Sequence, residues 1–332
     1  TTPRTPHRSA HPPRRRRRLA AALALGLGLA AVASARPAQA AESKTLCVFD
    51  PSGANGDVFA KMKGYQADAL LWGVNFTLKP YTDESVAASD FRNKVCDAVV
   101  LTGVTGREFN PKTYTLEAMG LFSSYQALGK AISLLANPKA APLSQHQGFE
   151  TVGVLPAGAV YLYLRDRGNA SLPKLSGRSI AAIGADPAAR QMIDRVGATA
   201  TRADVSTFAS LFNNGSVDVC YSPATAYKPM ELHRGVGSDG GVVRFPIAQL
   251  TFQIYVRPDE FPADFGKSSR ARVAQDFDAM LRIIERAEAS VGAWIDVSAD
   301  DAKRYTELLR DVRDQLKAQS VYDAAILKLG GA

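Results

Sequence analysis

Polar side chains follow short apolar segments at two points where a helix should begin. Asp186 comes after the apolar run at residues 179–183 and directly precedes a proline. Tyr221 closes a second apolar run, at residues 217–221, before a Ser-Pro pair. Aspartate is a preferred helix N-cap and proline fits the first helical position, so both segments indicate strands that lead into helices. Helix N-termini attract anions and polar groups, and these strand ends could therefore bind a small polar or anionic molecule.

Residue types suited to catalysis are present, but they are not arranged for it. His146 lies in a predicted loop and His233 ends a predicted helix, and the sequence has neither a GxSxG nor an HExxH motif. The acid pairs 83–84 and 300–301 begin predicted helices, where acids serve as caps. Residues 235–240 fit GxGxxG but follow a helix and lead into a strand, which indicates a loop. We expect no enzyme activity, no cofactor and no metal, and a hydrolase is the weaker alternative.

Two stretches, residues 45–101 and 177–223, alternate apolar strand segments with helical ones. This order is typical of parallel strands with crossover helices, which bind ligands beyond the carboxyl ends of the strands. In the first stretch these ends are the loops at 50–57 and 102–107. Their candidate ligand contacts are Ser52, Asn55, Asp57, Thr102 and Arg107. For the first loop, a turn with helix caps is an equal alternative, since Gly, Asn and Ser favour turns for backbone reasons.

The first 40 residues have the pattern of a cleavable export signal. They combine an arginine run at 14–18, an apolar segment at 19–32 and an Ala-x-Ala site that predicts cleavage between Ala40 and Ala41. The apolar segment is shorter than the roughly 20 residues that a membrane anchor needs. Adjacent arginines also suit a twin-arginine export route. The remaining 292 residues exceed one typical domain and suit two lobes.

The same segment accounts for the charge of the chain. The sequence has 40 basic and 32 acidic residues, and the first 40 residues hold eight arginines and no acid. The rest of the chain therefore has 32 basic and 32 acidic residues, a net charge near zero. No basic surface is expected for nucleic acid or an anionic membrane.

Three segments of the second stretch together resemble a known family. Gly-Arg-Ser-Ile at 177–180, Val-Gly-Ala at 196–198 and Phe-Asn-Asn-Gly-Ser-Val-Asp at 212–218 resemble the second lobe of periplasmic solute-binding proteins. The best match is to the binding proteins of tripartite (TRAP-type) transporters and related solute-binding proteins. The resemblance covers most of the chain after residue 40, and the order of the segments carries it.

The resemblance implies a two-lobed α/β fold of the periplasmic-binding-protein type, with hinge strands and long C-terminal helices. Lobe 1 would comprise residues 41–157 plus about 243–275, and lobe 2 with the bracing helices residues 158–242 plus about 276–332. A strand that crosses between lobes places a hinge near 156–160. The extended segment at 242–256 fits the returning hinge strand.

Further ligand contacts are expected on this fold. Tyr161 lies on the crossing strand, where Tyr163 would pack instead, and Tyr227 lies on a helix predicted at 223–233. Gln253 is chosen on the return strand, where Gln249 or a merely solvated strand face is the alternative. Together with Asp186, Arg190 and Tyr221, these complete the candidate set.

One position departs from the family pattern. TRAP-type proteins usually carry an arginine near the end of the strand at 179–183, where it binds a substrate carboxylate, and the corresponding residue here is Ala182. A bidentate arginine is the natural partner of a carboxylate, so its absence puts an organic-acid ligand in doubt. Arg107 and Arg190 keep that option open.

Three cysteines remain after residue 40, in a chain whose leader indicates an oxidising compartment. Cys47 and Cys96 each lie beside a predicted strand of the first lobe, and we predict that they pair, although three pairings are possible. Cys220 would then be a buried free thiol.

The sequence thus predicts a monomeric periplasmic receptor that captures a small polar or anionic solute between two lobes and delivers it to membrane transporter subunits. The alternative is a periplasmic signalling or partner-binding module with the same fold, because fold does not fix function. A neighbouring permease gene would favour the receptor, and a neighbouring sensor gene would favour the module.

Overall fold

The computed structural model describes residues 41–184 and 186–330. The predicted signal peptide at 1–40 lies outside the described residues. No helix within the described ranges is long and apolar enough to cross a membrane.

The described chain alternates strands and helices. The strands are β1 Glu42–Phe49, β2 Val74–Tyr81, β3 Ala98–Thr102, β4 Gln145–His146, β5 Phe149–Leu164, β6 Ser179–Ile183, β7 Thr199–Ala203, β8 Val219–Pro223, β9 Gly241–Val243, β10 Ala248–Val256 and β11 Trp294–Ile295. The α-helices are α1 Asp57–Leu70, α2 Glu84–Arg92, α3 Gly103–Gly106, α4 Pro111–Tyr114, α5 Tyr125–Ala136, α6 Ala141–Ser144, α7 Leu172–Leu175, α8 Pro187–Arg195, α9 Phe208–Asn213, α10 Leu232–Val236, α11 Phe265–Ala274, α12 Phe277–Ala289, α13 Ala299–Ala318 and α14 Ala324–Leu327. Short 3₁₀ turns occupy Gly53–Asn55, Thr115–Glu117, Pro138–Ala140, Arg167–Asn169, Ala224–Ala226, Pro258–Glu260 and Lys328–Gly330.

One mixed sheet organises these elements, in the strand order β2-β1-β3-β10-β5-β8-β6-β7. At one end β1 pairs in parallel with β2 and β3, and at the other end β6 pairs in parallel with β7 and β8. The long strands β5 and β10 lie between the two parallel groups and pair antiparallel with their neighbours. The two predicted strand–helix alternations therefore form the two parallel ends of the sheet.

Strand β5 runs through both halves of the sheet and bends where a hinge is predicted. Its register with β10 shifts between Leu250, opposite Gly158, and Thr251, opposite Pro156, so Ala157 is an extra residue. Such a bulge bends the strand and increases its twist. Gly158 has φ +122°, and a Cβ there would lie 3.1 Å from the Cβ of Pro223. The backbone conformation favours glycine at this position, and the space beside Pro223 is tight for a side chain.

Two predicted elements differ in the structure, each because of a proline. The helix predicted at 223–233 is instead a 3₁₀ turn followed by the separate helix α10, with Pro229 between them. The extended segment predicted at 242–256 is divided into β9 and β10, with Pro246 between them. Proline lacks the N–H group that a continuous helix or strand ladder requires.

Buried apolar side chains form three clusters. One packs β1–β3 against α1, α2 and α11, a second packs the end of β5 and β6 against α5, α8 and α13, and a third lies around α9, α10 and β8. Helix α5 belongs to the second cluster although its sequence position is in the predicted lobe 1. The predicted lobe boundaries at 157/158 and 242/243 stay predictions.

The structure contains the predicted disulfide between Cys47 and Cys96. It joins β1 to the turn that precedes β3, and both residues are fully buried. Cys220 is a buried free thiol on β8.

Candidate ligand-binding site

A cavity of about 160 Å³ lies at the carboxyl ends of strands from both halves of the sheet. It is bordered by the end of β1 at Phe49, the end of β3 at Thr102, the end of β6 at Ile183 and the end of β8 at Tyr221–Pro223. We call it the central cavity. It lies where parallel strands of an open α/β sheet usually present their ligand site.

Most of the central cavity wall is apolar. Met280, Ile283 and Ile284 of α12 form one side, and Leu250 and Phe252 of β10 contribute to another. Aromatic rings recur around the wall, from Phe49, Tyr114, Phe208, Tyr221 and Phe252. Small-molecule sites commonly combine such an apolar wall with a few polar groups that fix orientation.

Asp186 is one of those polar groups, and it caps α8 as the Asp-Pro pair predicts. Its Oδ1 atom accepts hydrogen bonds from the N–H groups of Ala188 at 2.9 Å and Ala189 at 3.2 Å. The Tyr114 hydroxyl donates to the same oxygen at 3.2 Å. All three bonds go to Oδ1. Burial raises the pKa of Asp186, because the charged carboxylate is withdrawn from water.

Glu117 is the second polar group, and nothing in the local sequence pattern indicates it. Its Oε1 atom accepts from the Gly103 N–H at 3.0 Å, the Thr251 N–H at 2.8 Å and the Thr251 hydroxyl at 2.6 Å. Its Oε2 atom is buried and has no hydrogen-bond partner within residues 41–184 and 186–330. Burial raises the pKa of Glu117 to about 8.

Gly103 makes the position of Glu117 possible. A Cβ at residue 103 would lie 2.5 Å from Glu117 Oε1, so a side chain there would displace the carboxylate. Thr251 is in turn held by Gln253, whose Nε2 donates to the Thr251 hydroxyl at 2.9 Å. The Tyr255 hydroxyl donates to the Gln253 side-chain oxygen at 2.8 Å. Strand β10 therefore fixes Glu117 through two successive layers of buried hydrogen bonds.

Asp50 is the third buried carboxylate on the cavity wall. Its Oδ2 atom accepts from the N–H groups of Val58 at 2.9 Å and Phe59 at 3.1 Å, in the first turn of α1. Its Oδ1 atom accepts from the Ser52 N–H at 2.9 Å. A Cβ at Gly56 would lie within about 2 Å of this carboxylate, so glycine is required for the close approach.

Five of the eleven residues that we predict as ligand contacts line the central cavity. They are Ser52, Asp57, Thr102, Asp186 and Tyr221. The Tyr221 hydroxyl also accepts a hydrogen bond from the Ile183 N–H at 3.0 Å, which joins the ends of β8 and β6. Four of these five residues lie within three positions of the end of a strand, and the fifth, Asp57, begins α1.

The other six do not line the cavity. Asn55 is exposed on its 3₁₀ turn, Arg190 is exposed and pairs with Asp194, and Gln253 is buried behind Thr251. The Tyr161 hydroxyl donates to Glu288 at 2.9 Å, and its ring packs on Trp294. Tyr227 stacks on Tyr163, with ring centroids 6.1 Å apart. Ligand contact by these residues stays a prediction.

Arg107, the sixth of them, lies behind one wall of the cavity. Its guanidinium carbon is 5.8 Å from the ring centroid of Tyr114, which lines the cavity. Among the described lining residues the charged side chains are Asp50, Asp57, Glu117 and Asp186, and none is Lys, Arg or His. Ala182, which we predict at the position where TRAP-type proteins carry an arginine, is buried in β6.

The sequence matches known solute-binding proteins over most of its length. The family model "Solute-binding protein AdeT 1/2" matches residues 71–330. The chain belongs to this family of solute-binding proteins. It is 35% identical over 282 residues to "Probable solute-binding protein AdeT1" of Acinetobacter baumannii, a match that covers 84% of this chain and 93% of that protein. The identity to "Probable solute-binding protein AdeT2" of the same organism is 24% over 213 residues, 64% of this chain and 90% of that protein.

Solved structures confirm the predicted fold class. A TRAP periplasmic solute-binding protein from Ralstonia eutropha H16 with bound (S)-2-acetolactate superposes with a TM-score of 0.70 at 15% identity, over 87% of this chain and 98% of that chain. One from Shewanella oneidensis with bound succinate gives 0.66 at 11% identity, over 88% and 98%. One from Roseobacter denitrificans with bound β-D-glucuronate gives 0.69 at 13% identity, over 88% and 99%. The AdeT 1/2 family member described here therefore has the two-lobed α/β fold of TRAP solute-binding proteins.

Proposed function

We propose that this AdeT 1/2 family protein is a periplasmic receptor that holds a small solute in the central cavity. The observation that supports this site most directly is the pair of unsatisfied buried oxygens on its wall. Glu117 Oε2 and Gln249 Oε1 are both buried without a hydrogen-bond partner among the described residues, although both residues line an open space. Buried polar atoms in native proteins are nearly always satisfied, so a bound solute is the natural partner.

The geometry also suits capture by closure. The wall is built from strand ends of both halves of the sheet, and the two halves are joined by β5, with its bulge at Ala157, and by β10. A small rotation about these strands would open the cavity to solvent and close it again. Closed and open shapes would then give a membrane transporter a way to distinguish the loaded receptor.

Export and handover complete the proposal. We place the protein in the periplasm, exported by a signal peptide cleaved between Ala40 and Ala41, and the Cys47–Cys96 disulfide suits that oxidising compartment. We further propose that it acts as a monomer, delivers its solute to membrane transporter subunits, and carries out no reaction on it. N-terminal sequencing of the exported protein tests the cleavage site, and light scattering tests the monomer.

A thermal-shift screen of the purified protein, stripped of bound ligand by unfolding and refolding, tests the receptor proposal. The screen should include amines, organic acids, amino acids and sugars. A ligand at 100 times its dissociation constant stabilises a folded protein by about 2.7 kcal/mol, so a true solute gives a clear shift. If no compound of any class shifts the transition, the receptor proposal fails and a partner-binding module takes its place.

A further inference from the structure

The ionisable side chains that line the central cavity, among the described residues, are all acids. The described lining includes four acidic side chains, Asp50, Asp57, Glu117 and Asp186, and no basic one. Three of the four are buried, where charges interact more strongly than at a surface. A bound carboxylate would approach these groups without a counter-charge on the wall.

The helix starts that could attract an anion are already occupied by the protein itself. The first turn of α1 donates to Asp50, and that of α8 donates to Asp186. At the start of the short helix α3, the Thr102 N–H donates to Glu84 and the Gly103 N–H donates to Glu117. An anionic ligand would have to compete with these internal carboxylates for the same donors.

The cavity wall leaves two buried side-chain oxygens without a hydrogen-bond partner among the described residues. Glu117 is 5% exposed, and its Oε2 atom has no partner among the described residues, while Oε1 has three donors. Asp186 directs its three bonds to Oδ1. Gln249 adds a buried side-chain oxygen without a partner, or an amide N–H in the opposite orientation. When Glu117 is ionised, its missing partner is a group with N–H or O–H donors, and when Glu117 is protonated, Oε2 carries the proton and its missing partner is an acceptor.

We propose that the central cavity binds a small organic cation, with an ammonium group that donates to Glu117 Oε2 and Asp186 and an apolar body against the α12 wall. This inference rests on the proposed function, because it takes the central cavity to be the solute site. Five aromatic rings on the wall suit the same ligand class, since the faces of aromatic rings attract cations. A cavity of about 160 Å³ limits the solute to a small molecule, as about 150 Å³ is enough for benzene.

The opposite ligand charge would need a different arrangement of the same groups. Arg107 would have to turn from the ring of Tyr114 into the cavity, and Glu117 would have to stay protonated to donate to a ligand carboxylate. Cationic and anionic ligands should therefore show opposite changes of affinity with pH. Burial holds the pKa of Glu117 near 8, so an ammonium ligand displaces a proton from it at neutral pH and binds more tightly as the pH rises. A carboxylate ligand would bind more weakly as the pH rises.

Other titratable groups lie near Glu117 and have to be considered in the pH dependence. Asp186 raises the pKa of Glu117 through charge repulsion, and Arg107 lowers the pKa of Asp186. The hydroxyls of Tyr114, Tyr255 and Tyr322 are buried, which raises their pKa, so they remain neutral through this pH range. The pH dependence in this range is therefore assigned to Glu117, whose pKa burial raises to about 8.

The test compares matched ligands that differ only in charge. Benzylamine, benzyl alcohol and benzoate form one set, and butylamine, butanol and butanoate form a second. Calorimetry on the ligand-stripped full chain measures each affinity between about pH 6 and pH 8.5, a range in which the amines stay protonated. We expect the amine to bind at least tenfold more tightly than its carboxylate in each set, a difference of about 1.4 kcal/mol.

Two variants connect that preference to Glu117. In Glu117→Gln the amide oxygen can keep the three donors of Oε1, which places an NH₂ donor where Oε2 faces the ligand. This variant should lose at least tenfold in amine affinity and lose the rise with pH. Asp90→Asn is the control, because Asp90 accepts hydrogen bonds from Tyr81 and Lys79 and does not line the cavity. Its amine affinity should stay within twofold of the wild type.

The outcomes separate this inference from the proposed function. If carboxylates or alcohols bind and amines do not, the receptor stands and the cationic ligand is overturned. Tight binding of Ca²⁺ or Mg²⁺ in place of any amine would overturn it as well. If the amines bind but Glu117→Gln leaves their affinity unchanged, the placement of the ammonium at Glu117 is wrong. If no compound binds here or in the wider screen, the proposed function fails and this inference fails with it.

Discussion

Replacing Glu117 by glutamine should change how the stability of the protein depends on pH. Burial raises the pKa of Glu117 from its ordinary value of 4.5 to about 8. The folded protein therefore keeps a proton that the unfolded chain releases above about pH 4.5. Since the folded state binds more protons, the contribution of Glu117 to stability is fully present below pH 4.5 and is lost as the pH rises towards 8.

The size of this effect follows from the interval between the two pKa values of Glu117, 4.5 in the unfolded chain and about 8 in the folded protein. Each pH unit between the two pKa values changes the free energy of unfolding by about 1.4 kcal/mol. Between pH 5 and pH 7 the wild type should thus lose about 3 kcal/mol relative to Glu117→Gln, which has no proton to release. The three hydrogen bonds to Oε1 can be retained by the amide oxygen, so the variant is expected to fold.

Urea denaturation of both proteins without ligand, at pH 5, 6, 7 and 8, measures this difference. Asp90→Asn is the control, because hydrogen bonds from Tyr81 and Lys79 lower the pKa of Asp90 below its ordinary 3.8. The contribution of Asp90 is lost only as the pH falls below that value, so its difference from the wild type should stay flat between pH 5 and pH 8. If the free energy of unfolding of Glu117→Gln, relative to that of the wild type, stays constant or falls between pH 5 and pH 8, the cavity wall does not hold a buried, protonated carboxyl group at Glu117.

Three further predictions concern the framework around the cavity. Joint replacement of Cys47 and Cys96 by alanine should lower the free energy of unfolding by about 4 kcal/mol, because the disulfide closes a loop with a sequence separation of 49 and so reduces the entropy of the unfolded chain. Urea denaturation measures this loss, and a loss below about 1 kcal/mol would contradict the entropic argument. Gly158→Ala should lower the free energy of unfolding by about 2 kcal/mol, because residue 158 has φ +122° and the new Cβ would contact Pro223. An unchanged midpoint of urea denaturation would argue against a strained bend in β5. Arg190→Ala should leave the affinity of the best-binding amine within twofold, because Arg190 is exposed and pairs with Asp194 at 3.3 Å. Calorimetry measures this affinity, and a tenfold loss would place Arg190 in the binding site.

The parts of the fold that local sequence determines could be predicted. Apolar runs closed by Gly, Asp or Pro indicated the parallel strands and their helices, and Asp186-Pro187 indicated the cap of α8. Because carboxyl ends of parallel strands converge, the residues placed directly at those ends, such as Thr102 and Tyr221, line the cavity. Local pattern was sufficient wherever the strand end itself positions the side chain.

Sites that depend on tertiary packing could not be predicted in this way. Glu117 lies in a 3₁₀ turn, and only the approach of Gly103 and of Thr251, 134 positions later, turns it into a cavity carboxylate. Tyr161 and Gln253 lie on the right strands, but alternation leaves open which face meets the cavity. The structure points Tyr161 at Glu288 and buries Gln253 behind Thr251.

The relation between fold and ligand charge also follows from particular residues. TRAP proteins with bound succinate and glucuronate share this fold at identities below 15%, a level that carries no information about individual site residues. In this chain, the helix starts at the cavity donate to Asp50, Glu117 and Asp186. We also predict Ala182 at the position where TRAP-type proteins carry an arginine. Each of these carboxyl groups satisfies donors that an anion would use, and its ionised form also adds a negative charge. The proposed preference of this chain for a cation therefore rests on the carboxyl groups that occupy its own helix starts.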